Sequence, residues 1–339
     1  MPRGTLIGSG DGAPGSVTLT VAFEPDRPRM PTGLAFNPTR PNELWMVDHM
    51  DDTVITATDV GSPQMTSQRR KDPAAGHFMH APTGIAFADD DTWATCGEGD
   101  NSQNGNTGFV GPAAFSADPA IFAKQNSTTG LGSHLDMLHA SPFCMGIAHE
   151  RDHVYWVFDG ENSALVRYDF HDFHAPGEED HSDGEIRFYA TGSVKRTMGV
   201  PSHLFYSPDD AYLYVADTGN QRIVKLDTKS GTVGDELPSL EPSVPVQMNG
   251  TAVVEVVPAG VLQAPSGMLI HGNVLYATDN ATSTVYAFDL AGRMLRSLTT
   301  GLAANALGDL TVGPDGKMYL LDMASGRVYR IDPGPVTNP

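Results

Sequence analysis

Residues 201–227 read PSHLFYSPDDAYLYVADTGNQRIVKLD. Three short runs in this stretch are rich in β-branched, aromatic and aliphatic residues, and Pro, Asp, Gly and Asn separate them. Such runs, bounded by turn residues, are typical of β-strands. Helical periodicity is weak along the whole chain, so the stretch predicts a unit of short strands in an all-β protein.

The first half of this unit occurs six times in the chain. Each copy begins with a turn, and its second apolar strand ends at a polar residue or cysteine 12 to 15 positions after the start. The start positions are Gly33, Gly84, Gly146, His203, Gly267 and Asp309, and the strand ends are Asp48, Cys96, Asp159, Asp217, Asp279 and Asp322. Repeated sheets that bury their faces only against neighbouring repeats are typical of propeller blades. We therefore predict an all-β fold, a six-bladed β-propeller.

The two ends of the chain indicate how the ring closes. The sixth unit has no outer strand, whereas residues 17–23 (VTLTVAF) form an unassigned strand before the first unit. We expect this N-terminal strand to complete blade six, because an unpaired edge would otherwise remain exposed. The predicted organisation is an extended or disordered segment at 1–16, a single propeller at 17–332 with insertions at 97–141 and 169–185, and a tail at 333–339.

Three units, at residues 201–227, 265–289 and 308–332, resemble NHL-repeat blades. In that family a Pro-x-Gly start precedes a strand ending in Ala-Asp or Thr-Asp, as in Val215-Ala216-Asp217, and then a strand such as Arg222-Ile223. The resemblance extends over residues 30–332 and implies the propeller fold. It implies no single function, because such propellers include enzymes, scaffolds and peptide or RNA binders.

Val200-Pro201-Ser202-His203-Leu204 is also similar to a blade of peptidylglycine amidating lyase. In that family a Pro-His-Ser start supplies one of three zinc histidines. The resemblance implies that His203 is a metal ligand. The sequence departs from the family pattern in its Pro-Ser-His order and at Leu307-Gly308-Asp309, where the family has a second histidine.

The net charge of the chain restricts the classes of molecule that it can bind. The chain has 41 acidic and 21 basic residues, a net charge of −20 and a pI of about 4.8. Nucleic acid and anionic membranes need clustered Lys and Arg, so we expect neither as a partner. No run approaches the ~18 apolar residues of a membrane helix. We expect a monomer that acts on a small-molecule or peptide substrate, secreted or periplasmic, with its export signal absent from this sequence.

Three histidines are candidate metal ligands. The first strand of a blade begins, and the second ends, on the same face of a propeller, so His80, His139 and His203 are predicted near one axial mouth. Three imidazoles suit one transition metal, Zn²⁺ or Cu, with Ca²⁺ as a further candidate cation. The alternative is that each is an ordinary histidine lining the channel.

The same face supplies candidate catalytic groups. We expect Asp217 or Asp309 to act as an acid–base or supporting group, and Arg196 to bind a substrate carboxylate. The predicted function is a metal-dependent enzyme of lyase or hydrolase type. The alternative is a non-catalytic propeller that binds a peptide, glycan or protein on this face.

The two cysteines allow two interpretations. Cys96 and Cys144 belong to adjacent blades and would form a disulfide in an exported protein. Alternatively, a thiolate of Cys144 would join Met145, His139 and His203 in a copper site.

The two insertions are predicted on opposite faces. Residues 97–141 leave from the functional face and are expected to cover the channel as a lid, the alternative being a plain surface loop. Residues 169–185 (DFHDFHAPGEEDHSDGE) are expected on the other face as a solvated acidic loop, although their histidines and carboxylates are able to bind a metal.

Overall fold

The structure is a computed structural model that describes residues 5–8, 17–102, 105 and 107–333. These residues form six β-sheets, which confirms the predicted six-bladed propeller. Among them the helices are short, with α1 at Ala75–Phe78 and a 3₁₀ turn at Thr218–Asn220. Of the predicted terminal segments, residues 1–4, 9–16 and 334–339 lie outside the described residues.

The chain begins with strand β1 (Val17–Phe23) and then builds the blades in order, each from a strand at the axis to a strand at the rim. Blade 1 contains β2 (Pro31–Phe36), β3 (Glu43–Asp48), β4 (Thr53–Thr58) and β5 (Thr66–Arg70); blade 2 contains β6 (Pro82–Phe87), β7 (Thr92–Gly97), β8 (Ala113–Ser116) and β9 (His134–Met137); blade 3 contains β10 (Ile147–Arg151), β11 (Val154–Asp159), β12 (Ala164–Asp169) and β13 (Glu185–Tyr189).

The second half of the ring follows the same plan, with an added hairpin in blade 4. Blade 4 contains β14 (Leu204–Ser207), β15 (Tyr212–Asp217), β16 (Arg222–Asp227) and β19 (Val253–Val257); blade 5 contains β20 (Pro265–His271), β21 (Val274–Asp279), β22 (Thr284–Asp289) and β23 (Met294–Thr299); blade 6 contains β24 (Leu307–Val312), β25 (Met318–Asp322) and β26 (Val328–Pro333). The hairpin of blade 4, β17 (Thr232–Glu236) and β18 (Val246–Asn249), lies between β16 and β19 in the chain and joins the sheet of blade 3.

Strand β1 closes the ring, as the sequence predicts. It pairs antiparallel with β26, with Leu19 opposite Ile331 and Val21 opposite Tyr329. The short segment at residues 5–8 is also attached to the ring, because the Ile7 side chain is fully buried and its carbonyl accepts a hydrogen bond from Arg296 Nε at 2.8 Å. Blade 6 therefore contains both the first strand, β1, and the last strand, β26, of the described chain.

The hydrophobic core lies between the blades. Six buried clusters fill the six interfaces; Trp45 of blade 1, for example, packs against Trp93 and Phe122 of blade 2. Radial packing of this kind explains why the second strand of a blade, such as β11, is buried on both faces.

Segment 97–141 differs from its prediction as a lid. It contains β8 and β9, the third and fourth strands of blade 2. Their sequences, AAFS and HLDM, lack the β-branched residues that mark strands, so pairing of β8 with β7 and of β9 with β8 decides their structure. Of the described residues, 98–102, 105 and 107–112 lie between β7 and β8, and Phe109 stacks on His139.

Insertions cover the outer edges of blades 2 and 3. Residues 170–184, here called the strap, cross from blade 3 to β9, where His174 N and Gly177 N donate to the carbonyls of Leu135 and His134. The hairpin of blade 4 similarly pairs through β18 with β13. Both contacts satisfy edge strands that would otherwise expose unpaired backbone groups.

A disulfide joins Cys96 to Cys144, whose Cα atoms are 5.7 Å apart. It links the second strand of blade 2 to the turn before blade 3, so neither sulfur serves as the thiolate of the alternative copper site. We expect replacement of both cysteines by alanine to lower the free energy of unfolding by about 2–4 kcal/mol, because the crosslink closes a long loop. Urea denaturation tests this, and a reductant that destabilises the variant as much as the wild type would contradict it.

Candidate functional site

The axial face predicted to carry the site is closed by the turns that begin the blades. Thr32 Oγ1 donates to Pro82 O, and Thr83 Oγ1 donates to Cys144 O, so each turn is hydrogen-bonded to the next blade. A Cβ at Gly33 would lie 2.9 Å from Gly84 Cα, and one at Gly146 would lie 2.3 Å from Ser202 O. Glycine is needed at these positions because neighbouring turns pack in direct contact.

His203 and Asp309 replace glycine in this ring and line an axial cavity of about 320 Å³. His203 Nε2 lies 3.1 Å from Thr32 O across the axis, and its Nδ1 lies 3.8 Å from Asp309 Oδ2. Asp309 also accepts from the backbone N–H groups of Leu34 and Leu310, and burial raises its pKa. Both side chains thus have partners within the ring, and His203 donates its Nε2 proton to a carbonyl.

We expect His203→Ala to leave the metal content unchanged and to lower the free energy of unfolding by about 1–3 kcal/mol, the usual range for losing a buried hydrogen-bonded group. Metal analysis and thermal unfolding of the one variant test both parts. Loss of metal in the variant would contradict this expectation and identify His203 as a metal ligand.

The other predicted site residues are also held by separate partners. His80 Nδ1 lies 3.5 Å from Asp52 Oδ1, a contact that raises the pKa of His80. Arg196 Nη1 donates to Glu98 Oε1 at 2.8 Å, and its guanidinium covers the Phe143 ring.

Asp217 is fully buried at the end of β15 and serves a turn. It accepts from Lys195 N at 2.8 Å and from Arg222 Nε at 2.8 Å. The aspartates that end the second strands of other blades do the same; Asp279, for example, accepts from the backbone of Gln263 and Ala264. The repeated aspartate is therefore a structural feature of the blade.

A histidine-rich cavity lies instead at the rim of blade 2. The cavity has a volume of about 520 Å³, and β9, α1, the strap and the loop before β18 all contribute to it. We call it the histidine pocket. The residues that line it are His77, Phe78, Phe109, Leu131, His134, His139, Glu179, Asp180, His181, Ser182, Leu240, Glu241 and Pro242.

Three imidazoles converge beside this pocket. Ligand atoms of His134, His174 and His181 all lie within 4.8 Å of one another, and the Nε2 atom of each is buried without a hydrogen-bond partner. His134 Nδ1 donates to Leu131 O at 3.0 Å, and His174 Nδ1 donates to Ala175 O at 2.8 Å. These bonds assign the ring proton to Nδ1 and leave Nε2 with a free lone pair, the arrangement that metal-binding histidines adopt.

The electrostatics keep these rings neutral. Burial lowers the pKa of His134 to about 3 and the pKa of His181 to about 4, with neighbouring imidazoles adding to the effect, and burial also lowers the pKa of His174. Neutral imidazole is the form that binds metal. Burial also raises the pKa of Asp136, two residues after His134, to about 8, and its Oδ2 has no hydrogen-bond partner.

A second group, His139, His181 and Glu241, adjoins the first. Glu241 accepts from His139 N at 2.6 Å and from His139 Nδ1 at 2.7 Å. The second contact is shorter than the ~3.4 Å that separates two ligands of a tetrahedral metal with bonds of ~2.1 Å. His139 and Glu241 therefore form a hydrogen-bonded pair, with His139 Nε2 directed to His77 Nε2 at 3.3 Å.

Of the three predicted ligands His80, His139 and His203, one lies in this pocket, His139, and the structure does not bring it together with the other two. Among the described residues, the two groups of potential ligands are those given above. His134 was missed because β9 has no recognisable strand pattern. His174 and His181 belong to the insertion considered as a metal binder, and their side chains turn inward from a loop whose acidic residues are exposed.

Comparison with known proteins shows the fold. No protein-family model matches the chain, and no curated protein matches it in sequence. A virginiamycin B lyase from Staphylococcus aureus is 11% identical over 95% of this chain and 90% of that chain, with a TM-score of 0.53. An auxiliary nutrient binding protein from Bacteroides thetaiotaomicron is 12% identical over 89% and 68% of the chains, with a TM-score of 0.58.

A structure described as a putative gluconolactonase is 13% identical over 95% of this chain and 94% of that chain, with a TM-score of 0.50. At these identities the likeness extends to the six-bladed propeller alone. The helices of the described residues are too short to cross a lipid bilayer.

Proposed function

We propose that this chain is a metal-dependent enzyme of hydrolase or lyase type whose metal is bound by Nε2 of His134, His174 and His181. This set replaces His80, His139 and His203. The convergence of three histidines, each with a buried and unpartnered Nε2, beside an open pocket carries the proposal. Polar atoms are rarely buried without partners, so three together indicate a ligand.

The donor set favours a transition metal, with Zn²⁺ first and Cu as the alternative. Imidazole nitrogen suits both ions, whereas Ca²⁺ takes six to eight oxygen ligands. Three protein ligands leave a coordination position open, and Zn²⁺ in such a site polarises a carbonyl or activates water.

His139 is assigned a supporting role in the same pocket. Glu241 fixes its backbone and its ring, and Phe109 stacks on the ring with centroids 3.6 Å apart. Its Nε2 lies 3.3 Å from His77 Nε2, so both ring nitrogens have partners and His139 fixes the wall of the pocket.

The charged residues that line the pocket restrict the class of substrate that it can bind. Among the described residues that line it are Glu179, Asp180 and Glu241, and none is Lys or Arg. A substrate with a phosphate or carboxylate at this place would face repulsion, so we propose an uncharged or cationic substrate, such as a neutral ester or lactone.

The disulfide supports the proposal that the protein acts outside the cytoplasm, since such crosslinks persist in oxidising compartments. The similar structures include a lyase and a nutrient binding protein, so the fold accommodates both catalysis and binding.

Zinc reloading tests the proposed function. Protein stripped with a chelator is expected to bind one Zn²⁺ per chain in a calorimetric titration, and the reloaded protein is expected to hydrolyse members of a panel of neutral esters and lactones. The stripped protein should have no activity. One bound zinc without turnover would support the binding alternative, and no bound metal would contradict the proposal.

A further inference from the structure

A second cavity adjoins the histidine pocket. It has a volume of about 350 Å³ and lies between the loop before β8, the end of β13 and the hairpin of blade 4. We call it the side pocket. His139 and Leu240 line both cavities, so the two are neighbours across these side chains.

The side pocket is apolar and uncharged. Phe188, Leu237 and three prolines form much of its wall, and among the described residues that line it none is Asp, Glu, Lys or Arg. This contrasts with the acidic rim of the histidine pocket.

The polar groups of the side pocket already have partners. Thr191 Oγ1 donates to Gln247 Oε1 at 2.9 Å, and Gln247 Nε2 donates to Phe188 O at 3.1 Å. Asn162 Nδ2 donates to Asp159 Oδ2 at 2.9 Å. A ligand gains little from hydrogen bonding here, so apolar contact is what the cavity offers.

We propose that the side pocket binds the apolar, uncharged end of the substrate whose reactive group occupies the histidine pocket. The proposal rests on the proposed function, and it names the substrate class as an elongated molecule with a neutral reactive group at one end and an aromatic or branched aliphatic group at the other. His139 and Leu240 lie at the junction, where the chain between the two ends passes.

The cavity is tested first without metal, with the neutral fluorescent probe N-phenyl-1-naphthylamine. Chelator-stripped wild-type protein is expected to bind the probe, and His181→Ala is expected to bind it equally. Ala140→Leu and Thr191→Trp add volume at the wall and at the exposed rim, and each is expected to weaken binding at least tenfold. Thr299→Trp is the matched control, because Thr299 is an exposed threonine at the outer strand of blade 5.

The link to the substrate is tested with zinc-loaded protein and a series of neutral esters. Thr191→Trp is expected to lower kcat/KM at least tenfold for esters with a bulky apolar group, and to leave acetate esters and zinc stoichiometry unchanged. Equal probe binding by wild type, Ala140→Leu and Thr191→Trp, or equal losses for all esters, would overturn the proposal. A protein that binds the probe and no metal would instead contradict the proposed function alone.

Discussion

Replacing His181 by alanine is expected to abolish metal binding. His181 belongs to both groups of potential ligands, and its Nε2 is one of the three unpartnered nitrogens. Loss of an outer-sphere partner already lowers metal affinity by about 10–100-fold, so loss of a direct ligand is expected to lower it by more than ~100-fold. Metal per chain after dialysis should fall from about one to near zero.

His171→Ala is the matched control for this experiment. His171 lies in the same strap, but its side chain is 44% exposed and its Nε2 is 3.8 Å or more from the nearest carboxylates. We expect its removal to leave the metal content and the melting temperature unchanged. Equal metal content in both variants would exclude His181 from the site.

Deleting residues 1–24 is expected to destabilise the whole ring. The deletion removes β1, exposes the edge of β26, and takes away the buried side chains of Ile7, Val17 and Phe23. Burial of one such side chain contributes about 1.5–3 kcal/mol, so the three together contribute roughly 5–9 kcal/mol. Because whole proteins are stable by only ~5–15 kcal/mol, the truncated chain should unfold at a much lower temperature or fail to fold.

Two point variants separate ring closure from other effects of truncation. Phe23→Ala removes a side chain that is 2% exposed and is expected to cost about 3–5 kcal/mol. Val21→Ala, at a position 45% exposed on the same strand, is expected to change stability by less than ~0.5 kcal/mol. A truncated protein with an unchanged melting temperature would contradict closure by β1.

The fold was predictable because each blade repeats its pattern locally. The strand that ends at Asp217 and the one that ends at Asp279 have nearly the same sequence of apolar residues, and six copies indicate six blades. The sequence pattern did not predict β8 and β9 of blade 2, because these strands are short and have low strand propensity. Their conformation depends on neighbours that only the folded sheet supplies.

The site was less predictable because its ligands come from distant segments. His134 is 40 residues from His174 in sequence, and the two meet only because the strap crosses to the neighbouring blade. The start positions did converge at the axis, as predicted. There, however, Gly33 and Gly146 allow the turns to pack in contact, and His203 and Asp309 line the axial cavity while contacting each other.

Anomalous diffraction from crystals grown with Zn²⁺ tests the central claim most directly. At the zinc absorption edge we expect one strong peak about 2.0–2.1 Å from Nε2 of each of His134, His174 and His181. A peak beside His203 at the axis, or no peak at the rim of blade 2, would contradict the account.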